Sequence, residues 1–326
     1  MNKNIFETLH AEGLLSNESF EKTKVFQAKK NISVHWELRL ILYLGILLLA
    51  SGLGIVVYKN IDSIGHEAIL IFIAAITVSG FYYCFKNKKP FSQNKVEAPN
   101  SYFDYVLLLS CLCFLIFIAY WQFQYNIFGN RYGLATFIPM VLLFFCAYFF
   151  DHLGILSLAI SNLAAWAGIA VTPSQLLKAN DFNDSTIIIT ALLLGIMLTL
   201  AGKLTVMRNL KKHFAYTYTN FGMHVLFIAC LAGLFHFDAI YGLWFLALLG
   251  VSYYFYHQAI QTKSFYFLLV KTLYAYIGLS YVIIHLLFFQ MNADIGGAYL
   301  TFFYFIGSAI MLVLFLVRMN KKLKTK

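Results

Sequence analysis

Ten apolar runs of about twenty residues, separated by short polar stretches, set the pattern of this chain: 40–58, 66–85, 103–122, 133–150, 153–171, 185–202, 220–236, 239–256, 265–289 and 298–317. At 1.5 Å per helical residue, such a run covers roughly 30 Å of hydrocarbon. In lipid, a helix satisfies every backbone N–H and C=O within its own segment. The pattern therefore predicts an all-α, polytopic transmembrane helix bundle of ten spans. Two boundaries are narrow: Asp151–His152 in "FFDHLG" and His236–Asp238 in "FHFDAI". An even number of spans puts both termini on one side.

The polar flanks predict three segments: a helical arm over 1–37, the bundle over 38–318 and a basic tail over 319–326. In the arm, "NIFETLHAEG" puts Ile5, Phe6 and Leu9 on one helical face and stops at Gly13. Ser16 is placed to cap a second helix, which carries Lys29 and Lys30 near its end and so suits the helix dipole. The arm is too small for a core of its own. It is expected to cap the bundle or to bind a partner. Its polar character predicts that the first span acts as an uncleaved start signal.

The composition, 61% hydrophobic with only 12% charged residues, excludes a water-soluble fold of 326 residues. The net charge of +10 would suggest nucleic acid in a soluble protein. Its distribution gives a different reading. With the N-terminus cytoplasmic, the inside segments hold twenty lysines and arginines and the outside loops hold three: Lys59, Arg131 and Lys178. That asymmetry predicts a multi-pass membrane protein with a cytoplasmic N-terminus, partnered by the bilayer and not by nucleic acid.

Gly45, Gly52 and Gly54 in "YLGILLLASGLGIVV" resemble a phosphate loop only superficially. No third glycine and no strand–turn–helix context accompany them, and phosphate within an apolar run would be desolvated. Small residues one turn apart let membrane helices approach closely. Gly45 with Ala50-x-x-x-Gly54 makes such a face. Ser157, Ser161 and Ala165, with Ala164-x-x-x-Gly168, repeat it, and Ala229-x-x-x-Gly233 is a third case. "HEAIL" lacks the second histidine of a zinc helix, so His66 and Glu67 mark a helix start. The five cysteines all lie in apolar runs and read as small hydrophobes. No metal site, cofactor or catalytic constellation is expected.

"WELRLILYLGILLLASGLGIVVYKNIDSIG", behind a short helical arm, resembles the start of a bacterial family known as predicted membrane proteins of unknown function. Gly45, Gly54, Asn60 and Gly65 carry the likeness, which runs over about 5–90; Ile61 stands where that family often has tryptophan. The resemblance implies a bacterial inner-membrane protein and supplies no activity.

Polar groups at membrane depth are functional candidates. Lys271, Tyr274, Gly278, Tyr281 and His285 are spaced by three or four residues and share an arc of about 80° along roughly 21 Å of helix. The stripe is a candidate polar path, with Lys271 as charge gate, the tyrosines as hydrogen-bond rungs and His285 as titrating group. Snorkelling of Lys271 and ordinary interhelical hydrogen bonds account for the stripe without a path, and that reading is the stronger of the two. Asn162, beside Ser157 and Ser161, is expected to bond to a neighbouring helix. Pro139 and Gly278 are expected to interrupt their helices. The acids Asp181, Asp184 and Asp294 fall in outside loops. The pattern leans towards a permease-like protein moving a small solute, with proton coupling as an option. The alternative is a non-catalytic scaffold or sensor whose arm binds a partner.

Overall fold

The computed structural model describes residues 9–10, 12–20, 35–59, 65–100, 102–171, 185–290 and 295–325. Ile5, Phe6, Lys29, Lys30, Asn60, Ile61, Lys178, Asp181, Asp184 and Asp294 lie outside them. The described residues are helices joined by turns, with no strand among them. The long helices are α1 (His35–Lys59), α2 (His66–Asn87), α3 (Phe103–Tyr125), α4 (Tyr132–Phe150), α5 (Leu153–Val171), α6 (Ser185–Met207), α7 (Phe214–His236), α8 (Tyr241–Gln261), α9 (Phe265–His285) and α10 (Ile295–Thr325). Eight of them, α2–α4 and α6–α10, are long and apolar enough to cross a membrane. Two carry shorter apolar stretches, Leu40–Val56 in α1 and Leu153–Gly168 in α5. Among the described residues, eight helices are thus long and apolar enough to cross, where the sequence pattern predicts ten spans.

Two compact units divide the chain inside α1, Met1–Leu53 and Gly54–Lys326. In the first, Gly13 takes the left-handed φ of 72° that a helix stop favours, and Leu14 N–H donates to the Leu9 carbonyl. Ser16 Oγ accepts the Ser19 N–H at 3.3 Å, as an N-cap does. His10 stacks on Phe20 and meets Asn17 Oδ1 at 2.7 Å. Gly45 and Ala50 lie in the α1 part of this unit and Gly54 opens the next.

In the second unit, α7 is the central helix: 61% of its most apolar window is buried, against 39% at most in the other candidate spans. It packs Phe227, Cys230 and Leu234 against Leu248 and Phe255 of α8 and Leu268 of α9, with Met319 and Leu323 of α10 in the same cluster. Its tightest partner is α6. A Cβ at Gly222 would stand 2.9 Å from the Thr199 backbone nitrogen and 3.1 Å from the Gly195 carbonyl. One at Gly195 would stand 2.9 Å from the Leu226 backbone nitrogen. Two backbones approach this closely only where side chains are absent. Thr199 and Thr205 fold their hydroxyls back onto the carbonyls of Gly195 and Gly202, so these two hydroxyls have acceptors at the crossing.

Both narrow hairpins turn as the sequence predicts. Asp151 adopts φ 61° and donates its N–H to Ala147, closing α4, while His152 Nδ1 accepts the Ile155 N–H and caps α5. Between α7 and α8, Asp238–Ile240 forms a single 3-10 turn. Pro139 and Gly278 behave differently from expectation, since neither interrupts its helix. A proline in a buried helix removes one N–H donor, and packing by neighbours compensates. On α5 the buried ridge is Ile155, Leu156, Ala159 and Ile160; Ser161 and Ala165 are exposed, and Ser157, Ala164 and Gly168 are half-buried. Large apolar side chains such as Phe123, Leu193 and Met311 are exposed, which lipid tolerates and water would not.

Candidate functional site

The stripe of α9 is realised as one face of a helix, and each member meets a defined neighbour. Lys271 Nζ lies 5.0 Å over the Tyr256 ring and 5.8 Å from that of Phe315, a cation between aromatic faces. Tyr274 stacks on Phe227 at 5.0 Å, and its hydroxyl meets His224 Nδ1 at 3.0 Å. Gly278 is pressed on Leu248 so closely that a Cβ would collide with the leucine methyl, with Leu231 and Leu234 behind it. Tyr281 packs on Phe235 at 4.7 Å and on His285 at 5.7 Å, and His285 also faces Tyr241 at 4.7 Å. The five residues all lie on α9, and aromatic and leucine side chains stand against them.

His224 on α7 is a member the sequence pattern does not reveal. Its Nε2 meets the Tyr266 hydroxyl at 3.0 Å, so one imidazole stands between two phenols. One ring nitrogen donates and the other accepts, and the two tyrosines take the complementary roles. Nothing in the local spacing of "NFGMHVLF" points to Tyr266 or Tyr274, which lie 42 and 50 residues further on.

A second polar constellation sits at the ends of the helices. The Asp151 carboxylate receives Lys211 Nζ at 2.9 Å, His213 Nε2 at 2.5 Å and the Val96 N–H at 2.5 Å. The Asp151 and Lys211 side chains are each only 1% exposed. Lys211 also donates from Nζ to the Asn94 carbonyl and from its backbone N–H to Gln93, and it faces the Phe91 ring. Both charged residues have left-handed backbones, φ 61° and 51°, imposed by the tight ends of α4 and of the α6–α7 loop. A buried ion pair of this kind is tolerable because each charged group has further hydrogen-bond partners besides the other. Three loops that are distant in sequence are thereby tied at one point.

Asn162, expected to bond to a neighbouring helix, keeps its Oδ1 buried without a hydrogen bond among the described residues. The five cysteines are free and buried. Among the described residues, no three His, Cys, Asp or Glu side chains gather as a metal-binding group.

No curated protein and no solved structure matches the chain. What does match is a family that the sequence resemblance anticipates: residues 7–156, which run from the arm through α4 to the start of α5, fit the family described as "Predicted membrane protein (DUF2157)".

Proposed function

We propose that this multi-pass membrane protein is a non-catalytic scaffold or sensor of a bacterial inner membrane, with both termini cytoplasmic. One observation carries the choice against a permease: the α9 stripe, the best candidate for a solute path, is packed by Leu248 at Gly278 and by Phe227 at Tyr274. A solute path needs water-filled space at that depth.

The Asp151 junction supports the topology. The α4–α5 turn and the α6–α7 loop meet there, so α5 and α6 must either both cross the bilayer or both fail to cross. α6 is long and apolar enough to cross, which argues that the shorter α5 crosses as well. Reporter fusions at residues 95 and 208 and at the C-terminus are expected to be active in the cytoplasm. A fusion at residue 178 is expected to be active only on the far side. A residue-178 fusion reporting cytoplasm refutes the crossing of α5.

The test of the scaffold reading is aqueous accessibility. With the five native cysteines replaced by alanine, Tyr274→Cys and Tyr281→Cys are expected to react with a membrane-impermeant thiol reagent at least about a hundredfold more slowly than Glu97→Cys, because a dry site excludes the reagent. Equal rates would restore the permease. Replacing His285 by phenylalanine is likewise expected to leave the protein's cellular phenotype unchanged.

A proton-coupled permease keeps one specific observation in its favour, the Tyr266–His224–Tyr274 chain. An imidazole between two hydroxyls can pass a proton from one ring nitrogen to the other. On that reading His224→Phe abolishes proton movement into proteoliposomes, whereas the scaffold reading expects the same slow leak in both proteins.

A further inference from the structure

Where α7 and α9 run together, the Tyr266–His224–Tyr274 chain opens onto the outer surface of the helices. Tyr266 is 38% exposed, and Tyr216, whose ring lies 6.5 Å from it, is 55% exposed. We propose that this face binds a lipid-soluble quinone, with a quinone carbonyl oxygen accepting a hydrogen bond from the chain. Counting donors leads to the ligand. A neutral imidazole has one N–H and each phenol has one O–H, so the chain holds three donors. Its two bonds, His224 Nδ1 with Tyr274 and Nε2 with Tyr266, use two of them. The phenol that accepts the imidazole N–H therefore keeps an O–H without an acceptor in the chain. Among the described residues, neither hydroxyl has another hydrogen-bond partner. Tyr274 is half-buried and stacked on Phe227, whereas Tyr266 stands at the surface, so the surplus donor belongs on Tyr266. In that tautomer Tyr274 donates to Nδ1, and Nε2–H donates to the Tyr266 oxygen.

Depth decides what can meet that donor. His224 is about ten residues into α7, about 15 Å along a helix long enough to cross roughly 30 Å of hydrocarbon. Phosphates and glycerol esters sit at the interface, and acyl chains carry no acceptor. An unmet donor in hydrocarbon is costly. An acceptor at this depth comes from a molecule dissolved in the bilayer or from the helix of another chain. The aromatic surroundings favour the first. A quinone is a flat ring with two carbonyl acceptors and no donor, carried on an apolar tail. The Tyr216 and Tyr266 rings, tilted at 43° to each other, offer their faces to such a ring. For the tail, Leu273 and Ile277 follow Tyr266 at spacings of seven and four, so the three share one face of α9, and both are exposed. The site lies on the outside of the α7–α9 pair, so it is independent of whether the core beside Gly278 is dry.

The experiment uses the full-length protein in detergent micelles, with decylubiquinone and decylbenzene as probes. They share the same alkyl tail, and only the first has carbonyl oxygens. Retention is read by native mass spectrometry. The wild-type protein is expected to retain decylubiquinone at least about tenfold better than decylbenzene. Tyr266→Phe keeps the ring and removes the exposed O–H, so it should cut that preference about fivefold, the worth of one hydrogen bond. Replacing His224, Tyr266 and Tyr274 together by phenylalanine removes all three donors and should abolish the preference; Tyr266→Phe is the milder variant that still reads the site if the triple variant does not fold. Tyr253→Phe, an exposed phenol on α8, is the control and should change nothing. Equal retention of the two probes by the wild type overturns the proposal. So does a Tyr266→Phe protein of lowered thermal stability with its preference intact, because the chain then only ties α7 to α9. The other occupant is tested with Ile228→Cys, one turn from His224 and exposed, in the protein without native cysteines. Oxidative cross-linking of two copies in native membranes, undiminished by added decylubiquinone, shows that a second chain covers the face and also overturns the proposal.

Discussion

Asp151→Asn is expected to be the most damaging single change in the polar part of this protein, with a loss of about 3–5 kcal/mol of stability. Asparagine keeps the shape and tolerates φ 61°, so backbone strain does not confuse the result. What changes is the charge. Lys211, itself fully buried, loses its counter-ion, and the Val96 N–H and His213 lose an anionic acceptor. Breaking one side of a buried pair leaves a desolvated charge, which costs far more than the pair contributes. The Asp151→Asn/Lys211→Asn double variant should therefore recover part of the loss and be more stable than the sum of the single changes implies. Denaturation in mixed detergent micelles reads all three proteins. A single variant within about 1 kcal/mol of wild type, or strictly additive losses, would show that the junction is solvated and weak.

Gly222→Val should cost about 3 kcal/mol by a different route, that of overpacking. Even alanine there places a carbon 2.9 Å from the Thr199 backbone nitrogen, and that nitrogen belongs to a helix with no rotamer to change. The α6–α7 axes have to separate, which opens the Gly195 and Gly202 contacts as well. A graded loss from Gly222→Ala to Gly222→Val is expected in the same denaturation experiment. Gly250 in α8 is the control, since a Cβ there meets nothing within 4 Å. Gly250→Ala should raise stability by roughly 0.5–1 kcal/mol through helix propensity alone. If the two sites respond alike, close packing is not what holds α6 to α7.

Much of the fold is legible in the chain because lipid imposes one rule on every span. A backbone without water must bond to itself, so an apolar run of the right length has to be a helix. The narrow turns at Asp151–His152 and His236–Asp238 follow from the same accounting, because they are the polar breaks between adjoining apolar runs. The α9 stripe is legible for a related reason: helical spacing alone places Lys271, Tyr274, Gly278, Tyr281 and His285 on one face. The surroundings of that face are another matter. Leu248 and Phe227 fill it from two other helices, and no spacing within α9 encodes them. Small-residue patterns are ambiguous for the same reason. Ala229-x-x-x-Gly233 does meet a partner, Trp244, whereas Ser161 and Ala165 are exposed. The closest crossing uses Gly195 and Gly202, two turns apart on α6 rather than one, and Gly222 on α7.

By itself, the sequence determined where the long helices of this protein run and that they are apolar enough to belong in a bilayer. These properties follow from length, polarity and the cost of an unpaired backbone, all local to a segment. Only the tertiary structure decided that Asp151, Lys211 and His213 close on one another across 55 to 117 residues of chain with the loop around Val96. It also decided that His224 stands between two tyrosines. Pairings of this kind depend on which helix faces meet, and among apolar helices in lipid that choice is made by shape.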